Sequence, residues 1–357
     1  MKTVLAEKEH KEKSLKRCNK CILPETYPDI TFDKNGVCDI CRGTEAKAAK
    51  RDQRKLDREL MRIVQWAKAQ KKRYDCIVPF SGGKDSSYTI YYCKEKLGLN
   101  VLAVNFNNGL RTVAALKNIE KIVKRLGVGY ACYGPGWDIM KKLYRAFVLK
   151  AGKFCFACDM GIWATVYRVA EQYDVPLIVS GFSAQIESLS PKIYSYNNKL
   201  FKTIAQGALA KAEMKDFLGY TTLQKILRRL KHFRLTRYRR QISLPDYIIW
   251  DDKEIKRVIA EELNWEKRDD GSSDHIDCLF APMKNYFIVQ KWGFGEKTTK
   301  YAAMVRSGEV KREEAIKESS ALEGIDISEH KQRFKSLLDL SDSDIRAAKD
   351  KTHLVYL

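Results

Sequence analysis

Seven residues, Ser81-Gly82-Gly83-Lys84-Asp85-Ser86-Ser87, combine the groups that hold a phosphate. Two glycines let backbone N–H groups converge on an anion, and a helix starting behind them adds the positive end of its dipole. Ser81, Ser86 and Ser87 supply hydroxyl donors, and Lys84 supplies charge. The aspartate makes sense if a divalent cation accompanies the phosphate. Asp85 then holds magnesium, directly or through water, instead of repelling the anion. The spacing is neither that of a GxxxxGK loop followed by Ser or Thr nor that of GxGxxG, so the two common nucleotide loops are excluded.

Thiols form a second group. Cys18, Cys21, Cys38 and Cys41 are two CxxC pairs separated by 16 residues. That spacing closes a tetrahedron about zinc with no open position, which makes the role structural; iron–sulfur ligation is the alternative. Cys155 and Cys158 form a third CxxC, which Cys278 joins if the chain folds back. These three are read as ligands or catalytic thiols, with buried neutral thiols as the alternative. His275 is a further candidate, supported only by Asp274, Asp277 and Cys278 beside it.

The loop needs a strand before it and a helix after it. "DCIVPF" (75–80) reads as the strand, and a helix follows to about Leu97. "NVLAVNF" (100–106), "VGYACY" (128–133) and "VPLIVSG" (175–181) read as further strands, and the helix after the second ends at Gly127, a good C-cap residue. Strand and helix in alternation predict an α/β fold, a parallel doubly wound sheet whose ligand lies outside the carboxyl ends of its strands. Ahead of it, Leu56, Leu60, Ile63, Val64 and Ala67 recur at helical spacing. The expected organisation is a zinc-binding module over 1–45, a linker helix over 46–73, a nucleotide-binding domain over 74–190, a basic insertion over 191–270 and a C-terminal part over 271–357. The last completes the active site and ends in a helical tail.

Lys and Arg number 66 against 45 Asp and Glu, a net charge of +21. Such a field favours polyanions, phosphorylated small molecules or an anionic membrane surface without choosing among them. "KILRRLKHFRLTRYRR" (225–240) holds eight basic residues and no acid. No apolar run reaches the roughly 18 residues of a membrane span, and the first residues lack a signal-peptide core. The expectation is a cytoplasmic protein with reduced cysteines.

Ser81 to Ser86 resembles the SGGxDS signature of the PP-loop ATP pyrophosphatases, a Rossmann-like superfamily that cuts ATP between its α and β phosphates. The resemblance implies that Asn105, Phe106 and Asn107, ending the second strand, lie near the adenine. The string "CNKCILPETYPDITFDKNGVCDIC" resembles the start of the N-acetyl sugar amidotransferases of the WbpG/PseA type. "FCFACDMGIWATVYRVAEQYDVPLIVSG" and "KWGFGEKTTKYAAMVRSGEVKREEAI" are similar to that family's middle and late segments. The likeness runs from residue 18 to about 316, apart from 191–270. It departs at the middle motif, where the family pattern has histidines and this chain has Phe156, Ala157 and Asp159.

That family converts an acetamido group of a surface-polysaccharide sugar, such as one in lipopolysaccharide O-antigen, into an acetamidino group. The resemblance implies ATP and Mg2+ at the loop, with Zn2+ at the front cysteines. It implies a nucleotide-sugar substrate and ammonia from a separate glutaminase subunit, like that of imidazole glycerol phosphate synthase. Asp85, Lys84 and Lys297 are the catalytic candidates, and Lys291 and Arg306 are further cations for the leaving pyrophosphate. A competing resemblance is to PP-loop enzymes that thiolate tRNA, in which a CxxC and a distant cysteine hold an iron–sulfur cluster; Cys155, Cys158 and Cys278 are its counterparts here. A noncatalytic nucleotide-binding scaffold docking on anionic membrane is the third reading.

Overall fold

The computed structural model describes residues 15–48, 52–182, 198–218, 239–267, 277–319 and 327–348. Five short strands form its centre: β1 (Cys76–Pro79), β2 (Val101–Phe106), β3 (Gly129–Tyr133), β4 (Leu177–Ser180) and β5 (Arg240–Ser243). They lie in the order β3-β2-β1-β4-β5 with every pairing parallel, which is the doubly wound α/β sheet expected.

Side chains alternate between the two faces of a strand, and each face has its own core. Cys76, Val78, Val101, Ala103, Leu177 and Val179 pack with Leu60, Ile63 and Val64 of helix Gln53–Ala69, Ile90 of helix Lys84–Tyr91 and Ile259 of helix Asp252–Leu263. Ile77, Leu102, Val104 and Ile178 face the other way, against Val166 and Val169 of helix Cys155–Gln172. Every residue of β2 and β4 is therefore buried, whereas β3, at an edge, alternates.

β5 corrects the sequence reading. It comes from the stretch 191–270, expected to be an insertion, yet it pairs with β4 and closes the sheet. Only Ile242 of its four residues is buried, so it carries no apolar pattern to reveal it. Arg240 covers the Trp66 ring at 4.6 Å, and helix Asp252–Leu263 returns over helix Lys84–Tyr91. Residues 225–238 of the basic segment lie outside the described residues, as does His275. The expected linker helix is two helices, Asp39–Ala48 and Gln53–Ala69, the second capped by Asp52 accepting from Lys55 N at 3.0 Å. The helix expected to run to Leu97 is α-helical through Tyr91 and continues as a π-turn over Tyr92–Lys96.

Beyond the carboxyl end of β2 a further core gathers Phe147, Phe154, Phe280, Phe287 and Phe334, with Phe280 and Phe334 in edge contact at 4.6 Å. Another joins the front module to the C-terminal part. Ile22, Leu23 and Tyr27 pack against Phe294, Ala302 and Ala315. Among the described residues no helix is long and apolar enough to cross a membrane.

Candidate active site and metal centre

The loop leaves β1 between its two neighbours, β2 and β4, where an open parallel sheet forms a crevice. Phe80 N donates to Val104 O at 2.8 Å and holds the exit close to β2. Gly82 turns at φ +83°, and a methyl group there would start 2.5 Å from Ala115 O. Only glycine satisfies both constraints. Gly83 is extended and caps helix Lys84–Tyr91 without a side chain, which leaves the helix N-terminus open for an anion. The serines tie the turn together. Ser81 and Ser86 hydroxyls are 3.2 Å apart, and Ser86 and Ser87 donate to Gly83 O at 3.1 and 2.7 Å. Ser87 is fully buried, so here its hydroxyl shapes the loop.

Two residues invisible to the motif grip this loop from the segment that follows β5. Trp265 Nε1 donates to Gly82 O at 3.1 Å. Asp252, the first residue of its helix, pairs with Lys84 through one oxygen, and through the other with Lys256 at 2.7 Å and Lys300 at 3.5 Å. Lys84 also reaches Asp85 at 2.8 Å. Burial works against the Lys84 charge, but Asp85 and Asp252 outweigh it and hold the ammonium above the ordinary lysine range. Burial alone would raise the Asp252 carboxyl; Lys84, Lys300 and Lys256 hold it well below the carboxylate range. Asp277 closes the other side, where a side chain on Gly83 would start 3.3 Å from its carboxylate.

Asn105 and Phe106 do end β2 beside the loop, but both are engaged. Asn105 donates to Phe80 O at 2.5 Å and accepts from Arg111. Phe106 lies against Gly161, with its ring 6.1 Å from that of Phe217. Asn107 N donates to Tyr133 O at 2.6 Å. Lys297 is exposed, and Lys300, one turn further along the same helix, is the lysine that reaches Asp252. Hydrogen bonds with Cys38 and Cys41 lower the Cys21 thiol, and the Arg306 charge adds a smaller contribution. Lys291 lies over the Trp292 ring at 4.7 Å, and burial together with Lys153 lowers its pKa to about 8.

The chain folds back to place Cys278 against the same apolar core as Cys155 and Cys158, but among the described residues only the four front cysteines lie close enough together to share a metal ion. Leu279 N donates to Leu110 O at 2.8 Å, which draws the segment onto the loop after β2. Cys158 Sγ is 2.9 Å from Tyr144 Oη and accepts from Asn108 Nδ2 at 3.5 Å. Burial pushes all three thiols up, Cys278 to about 12 with Asp277 adding to the effect, while Lys284 works against it at Cys155 and Cys278.

At the front, Cys18, Cys21, Cys38 and Cys41 are buried with their sulfurs all within 4.8 Å of one another. Sulfur pairs stand 3.9 Å (Cys18–Cys41) and 3.8 Å (Cys21–Cys38) apart. A tetrahedron with metal–sulfur bonds of about 2.3 Å has edges of about 3.8 Å. Backbone N–H groups of Lys20 and Leu23 point at Cys18 and Cys21 sulfurs at 3.4 and 3.5 Å, as thiolates require. The four residues fit a closed, four-coordinate metal site. Arg312 donates to the carbonyls of Cys18 and Cys21 at 3.1 and 3.0 Å and fastens this module to the C-terminal helices.

Fold and site thus define an α/β protein with a strand–loop–helix anion site at the centre of a parallel sheet and a four-cysteine module beside it. Residues 250–355 match the family model described as the C-terminal domain of WbpG-like LPS biosynthesis proteins. The chain is similar to an uncharacterized protein of Methanocaldococcus jannaschii, 24% identical over 303 residues that span 85% of this chain and 92% of the relative. Among solved structures it is similar to the NH3-dependent NAD synthetase from Campylobacter jejuni in complex with nitrate. That match has 14% identity and TM-score 0.31 over 60% of this chain and 94% of the other. It is also similar to the U34-tRNA thiolase NcsA from Methanococcus maripaludis with its 4Fe–4S cluster, with 15% identity and TM-score 0.32 over 92% and 99% of the two chains.

Proposed function

We propose that this chain is an ATP-dependent, AMP-forming amidotransferase that converts an acetamido group of a nucleotide-linked surface-polysaccharide sugar into an acetamidino group. One observation carries the reading: the WbpG-like segment supplies Asp252 and Trp265, which close directly on the phosphate loop. The loop and the segment therefore act as one site.

An amide carbonyl is a poor electrophile toward ammonia. In the reaction proposed, the amide oxygen attacks the α phosphorus of ATP and pyrophosphate leaves. Ammonia adds to the activated carbon, loses a proton and expels AMP, which carries the former amide oxygen away. The protein's part is positioning and charge. Loop N–H groups and Lys84 hold the departing phosphates, and Asp85 is the carboxylate suited to hold magnesium, which supplies charge neutralisation when bound. Ammonia comes from a separate glutaminase subunit, and the four front cysteines hold zinc in a structural role.

The test incubates purified protein with ATP, magnesium, a diacetamido nucleotide sugar and ammonium. AMP together with a product in which NH replaces O, seen by mass spectrometry, is expected. Neither appearing overturns the proposal. Asp85→Asn is expected to lower AMP formation sharply, and unchanged turnover would remove the loop from the mechanism.

A second reading, tRNA thiolation with an iron–sulfur cluster, draws on the placing of Cys155, Cys158 and Cys278 against one apolar core. A brown absorbance in anaerobically prepared protein, with strongly salt-dependent tRNA binding, would support it over the first.

A further inference from the structure

We infer that Trp265 is a positioning residue of the phosphate site: its indole N–H sets the plane of the Gly82–Gly83 peptide and, through that peptide, the Ser81 hydroxyl that meets a bound polyphosphate. The inference deepens the adenylation reading and rests on it.

A peptide between two glycines is the least restrained unit of the loop. Turning it over would carry Gly83 from φ −76° to positive φ, a region that glycine enters at no steric cost. No side chain on either residue opposes that rotation, so hydrogen bonds must choose between the two orientations. Gly82 O accepts from Trp265 Nε1 at 3.1 Å on one side. In a trans peptide the following N–H points the opposite way, and there Gly83 N donates to Ser81 Oγ at 3.3 Å.

Counting hydrogens extends the chain by one step. A serine hydroxyl has one hydrogen to donate. Ser86 commits its own to Gly83 O at 3.1 Å, so in the Ser81–Ser86 contact of 3.2 Å Ser81 is the donor. Ser81 thus accepts from Gly83 N and keeps its hydrogen for a partner that can change, from Ser86 Oγ to a phosphate oxygen. Turning the peptide over would place Gly82 O where Gly83 N–H now stands. That carbonyl would draw the Ser81 hydrogen to itself and present partial negative charge to the anion.

Trp265 is held firmly enough to enforce the choice. Its backbone N donates to Ile259 O at 3.1 Å, just past the left-handed Asn264 that ends helix Asp252–Leu263. The next residue is clamped twice by one side chain: Glu266 N donates to Asn118 Oδ1 at 3.0 Å, and Glu266 O accepts from Asn118 Nδ2 at 2.9 Å. Asn118 is fully buried on helix Val113–Leu126, whose Ala115 O already confines Gly82. The helix that walls the loop therefore also fixes the residue that orients it.

The experiment titrates full-length protein with inorganic pyrophosphate, and separately with magnesium–ATP, by calorimetry. It compares the wild type with Trp265→Phe, Ser81→Ala, the two combined, and Trp163→Phe, which alters a tryptophan stacked on Tyr167 on the other face of the sheet. Trp265→Phe keeps an aromatic ring in the core and loses the donor. Binding about tenfold weaker is expected, the scale of one lost hydrogen bond to a charged group. Trp163→Phe is expected to bind as the wild type does. The decisive readout is coupling: Ser81→Ala is expected to weaken binding in the wild type but to add little on top of Trp265→Phe. A purely structural role for Trp265 would leave the cost of Ser81→Ala the same in both backgrounds. That equality, an unchanged affinity in Trp265→Phe, or an equal loss in Trp163→Phe overturns the inference alone. Where Trp265→Phe fails to fold, benzothienylalanine in its place keeps the bicyclic shape with sulfur where the N–H was, and the same outcomes decide. Absence of binding by the wild type overturns the nucleotide reading and this inference with it.

Discussion

Gly82 stands at φ +83° with Ala115 O 2.5 Å from where a methyl would begin, so Gly82→Ala combines backbone strain with a backbone clash. Strain of this kind costs on the order of 1–3 kcal/mol. The variant is expected to melt at lower temperature and to lose ATP binding in calorimetry, because the Trp265 bond to Gly82 O is displaced with it. Asp252 gives a signed pH effect. Its folded pKa lies below its unfolded value, so its ion pairs stabilise the fold fully above the unfolded pKa of about 3.9 and lose that contribution as pH falls through the folded pKa. The stability gap between wild type and Asp252→Asn, from urea melts, is therefore expected to be constant near neutral pH and to shrink in acid below about pH 4. A gap that widens in acid would contradict the network described here.

Helix Val113–Leu126 is the wall against which the loop turns, and its start depends on one cap: Thr112 accepts from Ala115 N at 3.1 Å. Thr112→Ala is expected to cost about 1 kcal/mol in a denaturant melt. It should also weaken nucleotide binding more than the cap at Asp52, far from the loop, when that residue is replaced by Ala. Elements of this kind were legible in the sequence because their signals are local. β1, the SGGKDSS turn, the Gly127 stop and the two front CxxC pairs each carry their own pattern within a few residues. β5 was not legible, because Arg240, Gln241 and Ser243 of an edge strand are not fully buried and leave one apolar residue to read. Asp252, Trp265 and Lys300 were not legible either. "WDDKEIK" reads as an ordinary capped surface helix, and only the tertiary fold brings its carboxylate to Lys84. Lys300, one helical turn beyond Lys297, makes the contact to Asp252, a difference that helix phase decides and composition does not.

At the scale of the whole molecule, the four-cysteine module combines residues that fit a metal ion with part of a shared core. Arg312 binds the Cys18 and Cys21 carbonyls, Thr26 donates to Trp292 O at 2.6 Å, and the Tyr27 ring lies 5.9 Å from that of Phe294. Arg312→Ala is expected to leave the sulfurs in place but loosen the module, so a colorimetric chelator should extract the metal faster than from the wild type. Removing the metal from the wild type should in turn expose the Phe294 face to a hydrophobic dye. An equal extraction rate in the two proteins would separate metal retention from docking. The same interface sets an order of events during translation. Ile22, Leu23 and Tyr27 leave the ribosome well before the residues that cover them, Phe294, Ala302 and Ala315. At about 5–20 residues per second the nascent chain waits on the order of tens of seconds with that apolar patch uncovered, an interval in which a holdase, or early capture of the ion, has the most to contribute.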